Sequence, residues 1–458
     1  MHIVIIGNGV AGITAARHIR KQSNHAITVI SAESEHFFSR TALMYIYMGH
    51  MRYEHTKPYE DWFWVKNRID LVRDYVNAID TERQCVCFPS GKTLHYDKLL
   101  VATGSVPRMP GVPGEHLRGV QGLYSLQDLA MMEEYTRNID HAVIVGGGLI
   151  GVETAEMLHS RHIPTTFLVR EREYWNTVLP DEEAAMISRH IRSHGIDLRL
   201  QTELSAILGD SNDRVRAVLT KSGEEIPCQF LALTIGVVPN IAIVKNSGIP
   251  CERGVLVNES FETSVPNVYA IGDCAEIVAN DGSHLRRVEP LWYAGRAHGE
   301  VVAQVICGNK QVYKRGVFFN SAKFFDIEYQ TYGTVKPTLP PNERSLYWEH
   351  PNGRHSIRIT YRNDEGSGNA VTGFLVLGVR YRQAACERWI ASASSIEEVL
   401  TNLGAANFDP EFFPQFEHHL VEAYNRQAGT NGRTLTLQQR RGSWRTVAKK
   451  LTPSSISV

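Results

Sequence analysis

The first twelve residues constrain the fold of this chain more than any other segment. Residues 3–6 are apolar, a helix-forming run occupies residues 14–19, and between them lies Gly7-Asn8-Gly9-Val10-Ala11-Gly12. In this pattern the first glycine permits a tight turn from strand to helix, the second lets a pyrophosphate approach the backbone, and the third lets the helix pack on the strand. The free N–H groups at the start of the helix attract phosphate. The pattern therefore predicts a dinucleotide-binding βαβ unit, whose expected cofactor contacts are Gly7, Gly9, Val10, Ala11 and Gly12.

A second copy of the pattern lies far along the chain. The apolar residues 142–145 lead into Gly146-Gly147-Gly148-Leu149-Ile150-Gly151, and a helix-forming run follows. One glycine loop is a weak signal because tight turns often contain glycine. Two copies, each between a strand and a helix, favour two bound dinucleotides. The expected contacts of the second copy are Gly146, Gly148, Leu149, Ile150 and Gly151.

Length and composition exclude several other classes of protein. A chain of 458 residues is too long for one compact core and predicts about three domains. The formal net charge of −1 argues against nucleic acid as a general partner. The longest apolar stretches, such as residues 142–145 and 301–307, are far shorter than the roughly 20 residues of a membrane span. Seven irregularly placed cysteines and an amino terminus unlike a secretory signal favour a cytoplasmic protein.

Three further segments accompany the two glycine loops. Residues 96–105, 233–240 and 268–275 resemble, in turn, the passage between two dinucleotide units, the return crossover and a second FAD motif. With these motifs, residues 1–335 resemble the two-dinucleotide-domain flavoprotein reductases of the pyridine nucleotide-disulphide oxidoreductase superfamily. That group includes ferredoxin, rubredoxin and nitrite reductase flavoproteins, coenzyme A-disulfide reductase and apoptosis-inducing factor. The resemblance implies that Asp273 holds the ribityl chain of FAD. It implies further cofactor contacts at Val76, Ala102, Thr103, Gly104, Gly236 and Gly272.

The resemblance also implies a fold and a domain order. The fold class is α/β, with two nested Rossmann-like dinucleotide-binding domains of the three-layer ββα type and a C-terminal α+β interface domain. The FAD domain is split between residues 1–120 and 240–312, and the NAD(P) domain, residues 121–239, is inserted into it. Residues 313–410 form the interface or dimerisation-like domain, with strand-like runs at 318–333, 356–361 and 371–379. Beyond about residue 380 the resemblance ends, and residues 411–458 are an extension.

The segment after the second strand of the first unit separates this chain from the disulfide-reducing relatives. Glu33 follows the apolar residues 27–30 and is the candidate for the ribose hydroxyls of the first dinucleotide. In disulfide-reducing relatives a redox cysteine lies on the helix that follows, but residues 37–49 contain no cysteine. A thiol–disulfide relay is therefore not expected. Arg40, in the run Phe38-Ser39-Arg40, is instead expected at the phosphates or ribityl chain of FAD, with a surface salt bridge as the alternative.

The first cysteines of the chain are Cys85 and Cys87, which alternate along a predicted strand and so face the same way. Structural thiols are favoured over a redox or metal-binding pair. No metal site is predicted in the chain.

The nicotinamide determinants follow the second strand of the second unit. Residues 166–169 are followed by Arg170-Glu171-Arg172. Arg170 and Arg172 would bind the 2′-phosphate of NADPH, whereas an acid such as Glu171 would bind the ribose hydroxyls of NADH. NADPH is slightly favoured and NADH stays open.

Two catalytic candidates come from the helix starts. Glu153 and Glu156 share one helix face, and the resemblance places one of them near the reacting rings. We select Glu153, although helix-start carboxylates also serve structure alone. Residues 289–299 resemble the helix that points its dipole at the flavin. Trp292 is the second catalytic candidate and Tyr293 a cofactor contact, and both also fit core packing.

Together these features imply an FAD-dependent NAD(P)H oxidoreductase with FAD and either NADH or NADPH as cofactors. The expected electron acceptor is a protein redox partner. The alternatives are a quinone- or dioxygen-reducing enzyme, a flavin-based redox sensor or scaffold, and a protein that keeps FAD only for stability. Because no CxxC motif provides iron–sulfur ligands, the electron path within the chain is expected to end at FAD.

Two expectations concern assembly. Formation of a homo-oligomer is one possibility, because the third domain of the proteins that this chain resembles often packs on a second subunit. From residue 431 onward there are six basic residues and no acidic one. This tail would dock on an acidic protein or make peripheral contact with an anionic membrane, or it is simply solvated, which we favour.

Overall fold

The computed structural model describes residues 1–279, 285–363, 368–428 and 434–438. The chain divides into two compact units. Unit 1 comprises Met1–Trp175 and Ile191–Gly316, and unit 2 comprises Asn176–His190 and Val317–Val458. Within the described ranges, no helix is long and apolar enough to cross a membrane.

Unit 1 contains a first parallel sheet with the amino-terminal strand at its centre. In spatial order its five strands are Val268–Ala270, Lys98–Val101, His2–Ile6, Ala26–Ser31 and Asp70–Arg73. The central strand is almost wholly apolar and buried, as expected of a parallel sheet that is covered on both faces. The strand Val268–Ala270 comes from late in the chain but pairs with Lys98–Val101, so distant segments build this sheet together.

A second parallel sheet in unit 1 repeats this arrangement. Its strands lie in the order Asp197–Arg199, Thr165–Leu168, Ala142–Val145, Phe230–Leu233 and Val120–Gln121. In each sheet the glycine-loop strand is central, and the strand that follows its helix lies beside it in parallel register. These two βαβ units confirm the fold class predicted from the glycine loops.

Three helices lie next to the two glycine loops. Val10–Gln22 follows the first loop and Leu149–Ser160 follows the second, with Gly9 and Gly148 as their N-cap residues. Trp292–Ile306 packs against Val10–Gln22 at very close range, because a Cβ atom on Gly299 would lie 2.6 Å from the carbonyl oxygen of Ala11. Only glycine allows this approach.

Antiparallel strands and short helices complete unit 1. Two three-stranded sheets are antiparallel: Ala78–Asp80 with Cys85–Cys87 and Thr93–His95, and Leu204–Gly209 with Val215–Thr220 and Glu225–Pro227. A third is mixed: Ala275–Val278 pairs in parallel with Val255–Val257 and antiparallel with Arg286–Arg287. Ser105–Pro107 pairs with Val237–Pro239 where the chain passes between the two sheets. The remaining helices are Leu43–Tyr47, Trp62–Lys66 and Leu126–Tyr135. As predicted, Cys85 and Cys87 lie on one strand.

Unit 2 is α+β, as predicted for the C-terminal part. Its antiparallel sheet has the order Phe319–Phe324, Ile327–Gly333, Val371–Leu377, Ser356–Arg362 and Glu343–Glu349. The helices Gln383–Ala391, Ile396–Thr401 and Glu417–Ala428 bury their apolar residues in its core. Residues 176–190, which include most of the helix Asp181–Ser193, also belong to this unit. They are joined to the sheet by a buried ion pair between Glu183 and Arg358.

Candidate functional site

The first glycine of each loop makes the turn that its sequence predicts. Gly7 has φ +115° and Gly146 has φ +121°, a region that other residues avoid. A Cβ atom on Gly7 would lie 2.1 Å from the carbonyl oxygen of Ala102, and one on Gly146 would lie 2.5 Å from that of Thr234. Both contacts are too short for any carbon. These two positions therefore let neighbouring strands approach, whether or not a ligand is present.

The third glycine closes each loop, and the second leaves it open. Cβ atoms on Gly12 and Gly151 would lie 2.1 Å and 2.3 Å from the carbonyl oxygen of the first glycine in the same loop. Cβ atoms on Gly9 and Gly148 would meet nothing within 4 Å. The two loops thus share one design: two crowded glycines hold the turn, and one faces open space.

That open space lies at a helix start with unused donors. No side chain caps either helix, and neither has an acidic residue in its first turn. The first turns, which begin with Val10 and Ala11 in one helix and Leu149 and Ile150 in the other, present backbone N–H groups and the positive end of the helix dipole. A pyrophosphate fits both places, by its charge and by the space available. We call the loop and helix start at residues 7–12 the first cradle, and those at residues 146–151 the second cradle. The individual contacts remain predictions.

Glu33 lies beside the first cradle in a network with Arg40. The guanidinium donates to both carboxylate oxygens, at 2.8 and 2.5 Å, and the amide of Leu126 donates to Oε1 at 2.9 Å. Of these three hydrogen bonds, Oε2 of Glu33 accepts only one, from Arg40, so it keeps a lone pair for a ribose hydroxyl. Asn8 donates to the carbonyl oxygen of Ser34 at 2.9 Å and so connects the loop with this segment.

Arg40 is held on several sides. It donates to the carbonyl oxygen of Tyr124 at 2.6 Å, and its guanidinium carbon lies 4.5 Å from the centre of the Tyr124 ring. Burial alone would lower the pKa of Arg40, but the hydrogen-bonded Glu33 carboxylate raises it above its ordinary value. Arg40 therefore does form an ion pair, but a half-buried one beside the first cradle. Its predicted contact with FAD stays a prediction.

Asp273 lies in the short 3-10 turn Gly272–Cys274 and is approached by two hydroxyl groups. Ser105 Oγ donates to Oδ2 at 2.9 Å, and Tyr124 OH donates to the same atom at 3.3 Å. Burial raises the pKa of the Asp273 carboxyl. The second oxygen remains for hydroxyl donors, and the ribityl chain of FAD carries such donors. Gly272 approaches the first cradle, because a Cβ atom on it would lie 3.0 Å from that of Ala11.

The other residues expected at the first cofactor occupy the adjoining segments. Ala102 follows the strand Lys98–Val101, and Thr103 Oγ1 donates to the carbonyl oxygen of Asn240 at 2.6 Å. Gly104 has φ +68°, and Val76 is buried in the main core of unit 1. Gly236, at the crossover between the sheets, has φ +99° and open space at its Cβ position.

Residues of the second cradle surround its helix start. Glu153 lies on the helix Leu149–Ser160 and is partly buried. Arg170 follows the strand Thr165–Leu168, is exposed, and donates to Glu171 at 2.7 Å. Arg172 is exposed as well. Arg170 would suit the 2′-phosphate of NADPH, and Glu171 would suit the ribose hydroxyls of NADH. Because the two side chains lie together, this geometry suits either nicotinamide cofactor.

Trp292 and Tyr293 open the helix Trp292–Ile306 and form an edge-to-face pair with ring centres 5.4 Å apart. Their exposed fractions are 39% and 42%. Aromatic residues of the core are usually more deeply buried, so this exposure favours a role at the surface of the site. The predicted roles of both residues at the flavin stay predictions.

Sequence reasoning missed two elements of the site. Tyr124 connects Arg40, Asp273 and the amide of Ser105, which donates to its hydroxyl at 3.1 Å, and burial raises the pKa of Tyr124 to about 12. His298 accepts a hydrogen bond from the amide of Gly272. Tyr124 lies 149 positions from Asp273, and no local pattern indicates such a contact. The dipeptide His298-Gly299 lay inside a segment that the sequence had already singled out.

Two further features predicted from the sequence are the cysteines and the basic C-terminal tail. All seven cysteines are free, and the helix Leu43–Tyr47, which contains no cysteine, buries Leu43, Met44 and Tyr47. The basic tail falls largely outside the described residues. Of that segment residues 434–438 are described, where Asn425 bonds both the N–H and the carbonyl of Leu435.

The chain is similar to known proteins both in sequence and in structure. The family model described as pyridine nucleotide-disulphide oxidoreductase matches residues 1–299. The assimilatory nitrate reductase electron transfer subunit of Bacillus subtilis is 30% identical over 311 residues, which are 67% of this chain and 39% of that protein. The ferredoxin–NAD(+) reductase component of the biphenyl dioxygenase system of Paraburkholderia xenovorans is 31% identical over 275 residues, covering 60% of this chain and 67% of that protein.

Among solved structures, a ferredoxin reductase from Rhodopseudomonas palustris superposes with a TM-score of 0.75 at 22% identity, covering 92% of this chain and 99% of that chain. At this identity the likeness concerns the fold. The chain spans about two fifths of the length of the Bacillus subtilis relative.

Proposed function

Because the chain belongs to the pyridine nucleotide-disulphide oxidoreductase family, whose members use FAD and NAD(P)H, we propose that it is an FAD-dependent NAD(P)H oxidoreductase that passes electrons to a small redox protein. The observation that carries this proposal is the pair of matched cradles, each with an open glycine at an uncapped helix start. The acceptor is proposed from the relatives, which are a nitrate reductase electron transfer subunit and a ferredoxin reductase component.

The strand order of unit 1 supports the proposed domain assignment. Residues 1–120 and 240–312 would form the FAD domain, in agreement with the late strand Val268–Ala270 in the first sheet. Residues 121–239 would form the NAD(P) domain, and the pairing of Val120–Gln121 in the second sheet supports a boundary at that point. Residues 313–410 would form the interface domain and residues 411–458 an extension.

The residues of the first cradle would hold FAD by three kinds of contact. The helix start at Val10 would receive the pyrophosphate, Glu33 a ribose hydroxyl, and Asp273 the ribityl hydroxyls. Arg40 would add a positive charge beside the phosphates, and its pairing with Glu33 orients that carboxylate. The two hydroxyl donors on Asp273 fix its rotamer, so that the carboxylate is pre-organised for its ligand.

The second cradle would bind NADH or NADPH at the helix start of Leu149. Arg170 and Arg172 would provide charge for a 2′-phosphate, and Glu171 would provide an acceptor for ribose hydroxyls. Glu153, four residues after Leu149, would position the nicotinamide. When bound, the two cofactors would supply hydride transfer to the flavin and onward electron transfer.

The route by which electrons leave is proposed from Trp292 and Tyr293. Both rings are partly exposed at the start of a helix that packs on the first cradle helix. They would shape the face on which the acceptor docks and limit solvent access there. No cysteine occupies the helix Leu43–Tyr47, so these aromatic residues would border the exit without a thiol relay.

A panel of acceptors tests the proposal. The protein loaded with FAD would be assayed with NADH and with NADPH against a rubredoxin, a [2Fe–2S] ferredoxin, a soluble quinone and dioxygen. We expect the highest kcat/KM with one of the two iron proteins. Faster reduction of the quinone or dioxygen would replace the proposed acceptor, and slow turnover with all four combined with a change of oligomer on adding NADH would favour a redox sensor.

Two further proposals concern the setting of the protein. We propose a cytoplasmic location, which is supported by seven free thiols. A homo-oligomer through the C-terminal sheet is also proposed, and sedimentation of the purified protein would test it.

A further inference from the structure

A buried carboxylate and a buried imidazole lie next to the Gly272-Asp273 turn, and neither belongs to the residues proposed to contact a cofactor. His298, on the helix Trp292–Ile306, is 0% exposed, and Glu289, just before that helix, is 4% exposed. Ionisable side chains are rarely buried to this extent unless they are paired and hydrogen-bonded. Their partners therefore indicate what they do.

The His298 ring bridges the turn and the carboxylate. The amide N–H of Gly272 donates to Nδ1 at 3.2 Å, and Nε2 lies 3.4 Å from Oε2 of Glu289. Because Nδ1 accepts a hydrogen bond, the proton of the neutral ring belongs on Nε2 and points at the carboxylate. The two contacts thus select one tautomer and one ring orientation.

Glu289 is itself held firmly in its ionised form. Tyr313 OH donates to Oε2 at 2.8 Å, and the Nε atoms of Arg287 and Arg315 each lie 3.3 Å from Oε1. Burial alone would raise the pKa of Glu289, but the hydrogen bonds from His298 and Tyr313 and the charge of Arg315 bring it below its ordinary value. His298 therefore faces a fixed negative charge.

Packing restricts the imidazole further. The ring of Phe261 lies 4.5 Å and that of Tyr313 4.6 Å from the His298 ring, centre to centre. The next residue, Gly299, is in backbone contact with the first cradle helix. The ring cannot turn away from Gly272 without disturbing this packing. Gly272 itself has φ +70°, which glycine adopts readily among many other conformations, so contacts such as that with His298 are needed to fix the turn.

We propose that Glu289 and His298 form a positioning pair that holds the Gly272-Asp273 turn in the conformation in which Asp273 receives FAD. The inference rests on the proposed function, in which Asp273 contacts the ribityl chain. His298 acts through the N–H of Gly272, and Glu289 acts through His298. Both are positioning residues.

Two substitutions at His298 separate its hydrogen bonds from its bulk. His298→Phe keeps an aromatic ring beside Phe261 but removes both hydrogen bonds. His298→Gln offers an oxygen to Gly272 and an N–H to Glu289. The first readout is the dissociation constant of FAD from the apoprotein, followed by flavin fluorescence. The second is hydrogen–deuterium exchange, in the apoprotein, of a peptide covering residues 268–275.

We expect His298→Phe to weaken FAD binding about tenfold, the effect of one buried hydrogen bond, and to speed exchange of the turn peptide. His298→Gln should recover most of both losses. Equal losses in the two variants would mean that ring shape matters and the hydrogen bonds do not, and this would overturn the proposal. So would faster exchange with unchanged FAD affinity.

Glu289→Gln gives an independent arm in case the phenylalanine variant does not fold. It removes the negative charge but keeps the size of the side chain, so we expect exchange of the turn peptide to be faster than in wild type. Wild-type exchange and FAD affinity in this variant would refute a role for Glu289. Neither readout requires turnover. A protein that binds FAD but is not reduced by NADH or NADPH would refute the proposed function and leave this test valid.

Discussion

Replacing Gly148 with alanine adds one methyl group in the open space at the second helix start. Gly148 has φ −107° and ψ −174°, which alanine adopts readily, and a Cβ atom there would meet no protein atom within 4 Å. The folded protein can accommodate the change. A bound pyrophosphate cannot, because the new carbon extends about 1.5 Å into the place where the phosphate would approach the backbone.

The expected magnitudes differ between folding and binding. For folding, alanine gains about 0.4–1 kcal/mol by restricting the unfolded chain and loses a similar amount as a poorer N-cap, roughly 0.5–1 kcal/mol. The free energy of unfolding should therefore change by less than about 1 kcal/mol. For binding, loss of one hydrogen bond to a charged phosphate costs about 1.5–3 kcal/mol, which raises the dissociation constant about 10- to 150-fold.

The assay is a titration of the FAD-loaded protein with NADH and NADPH, combined with urea denaturation. Gly404→Ala is the matched control, because Gly404 also lacks any atom within 4 Å of its Cβ position and lies in unit 2. The control should keep wild-type affinity. If Gly148→Ala is folded, retains FAD and binds both nucleotides as tightly as wild type, the second cradle does not hold a pyrophosphate.

Three further substitutions test other parts of the structure. Gly146→Ala would combine a strained φ, about 1–2 kcal/mol, with a clash in which the new Cβ lies 2.5 Å from the carbonyl oxygen of Thr234, about 1–3 kcal/mol. Urea denaturation should therefore show a loss of roughly 2–5 kcal/mol, and a loss below about 1 kcal/mol would contradict the geometry. Arg358→Met leaves the fully buried Glu183 without its cation and should lower the free energy of unfolding by about 3–5 kcal/mol in the same assay. Most of this loss should be recovered when Glu183 is also replaced by an apolar residue. No recovery would show that the unpaired carboxylate is not the cause. Burial raises the pKa of the Asp273 carboxyl, so its ionisation destabilises the apoprotein. Asp273→Asn should therefore raise the melting temperature at pH values above the folded-state pKa, and the gain should disappear as the pH falls from the folded-state pKa to the unfolded-state pKa. A lower melting temperature of the variant above the folded-state pKa would be inconsistent with a costly buried charge.

Local patterns predicted the elements that depend on local sequence. The two glycine loops, their strands and their helices follow from apolar runs that end in glycine. The strands lie within a residue of the predicted positions, whereas the helices begin earlier, inside the glycine loops, at Val10 and Leu149. The strands Phe319–Phe324 and Ile327–Gly333 were expected only from the resemblance of residues 318–333 to the third domain of the flavoprotein reductases. Beyond about residue 380 no resemblance was available, and the three helices there were not foreseen.

Contacts between distant segments could not be predicted. Nothing in the run around Tyr124 indicates that its hydroxyl would reach Asp273, because that contact exists only after the two sheets are connected. Arg40 was predicted at the cofactor with a surface salt bridge as the alternative; the structure shows a half-buried pair with Glu33, and the contact with FAD stays a prediction. His298 was part of a recognised segment, but its bond to Gly272 depends on helix packing.

Anaerobic titration of the FAD-loaded protein with NADH and, separately, NADPH tests the central claim most directly. The two-cradle arrangement predicts that one of the nucleotides bleaches the visible flavin absorbance stoichiometrically and that an oxidised ferredoxin or rubredoxin restores it. Alkylation of the cysteines should leave both steps unchanged, because the exit uses no thiol. An absorbance that neither nucleotide changes would contradict the proposal that the two cradles bring FAD and a nicotinamide together.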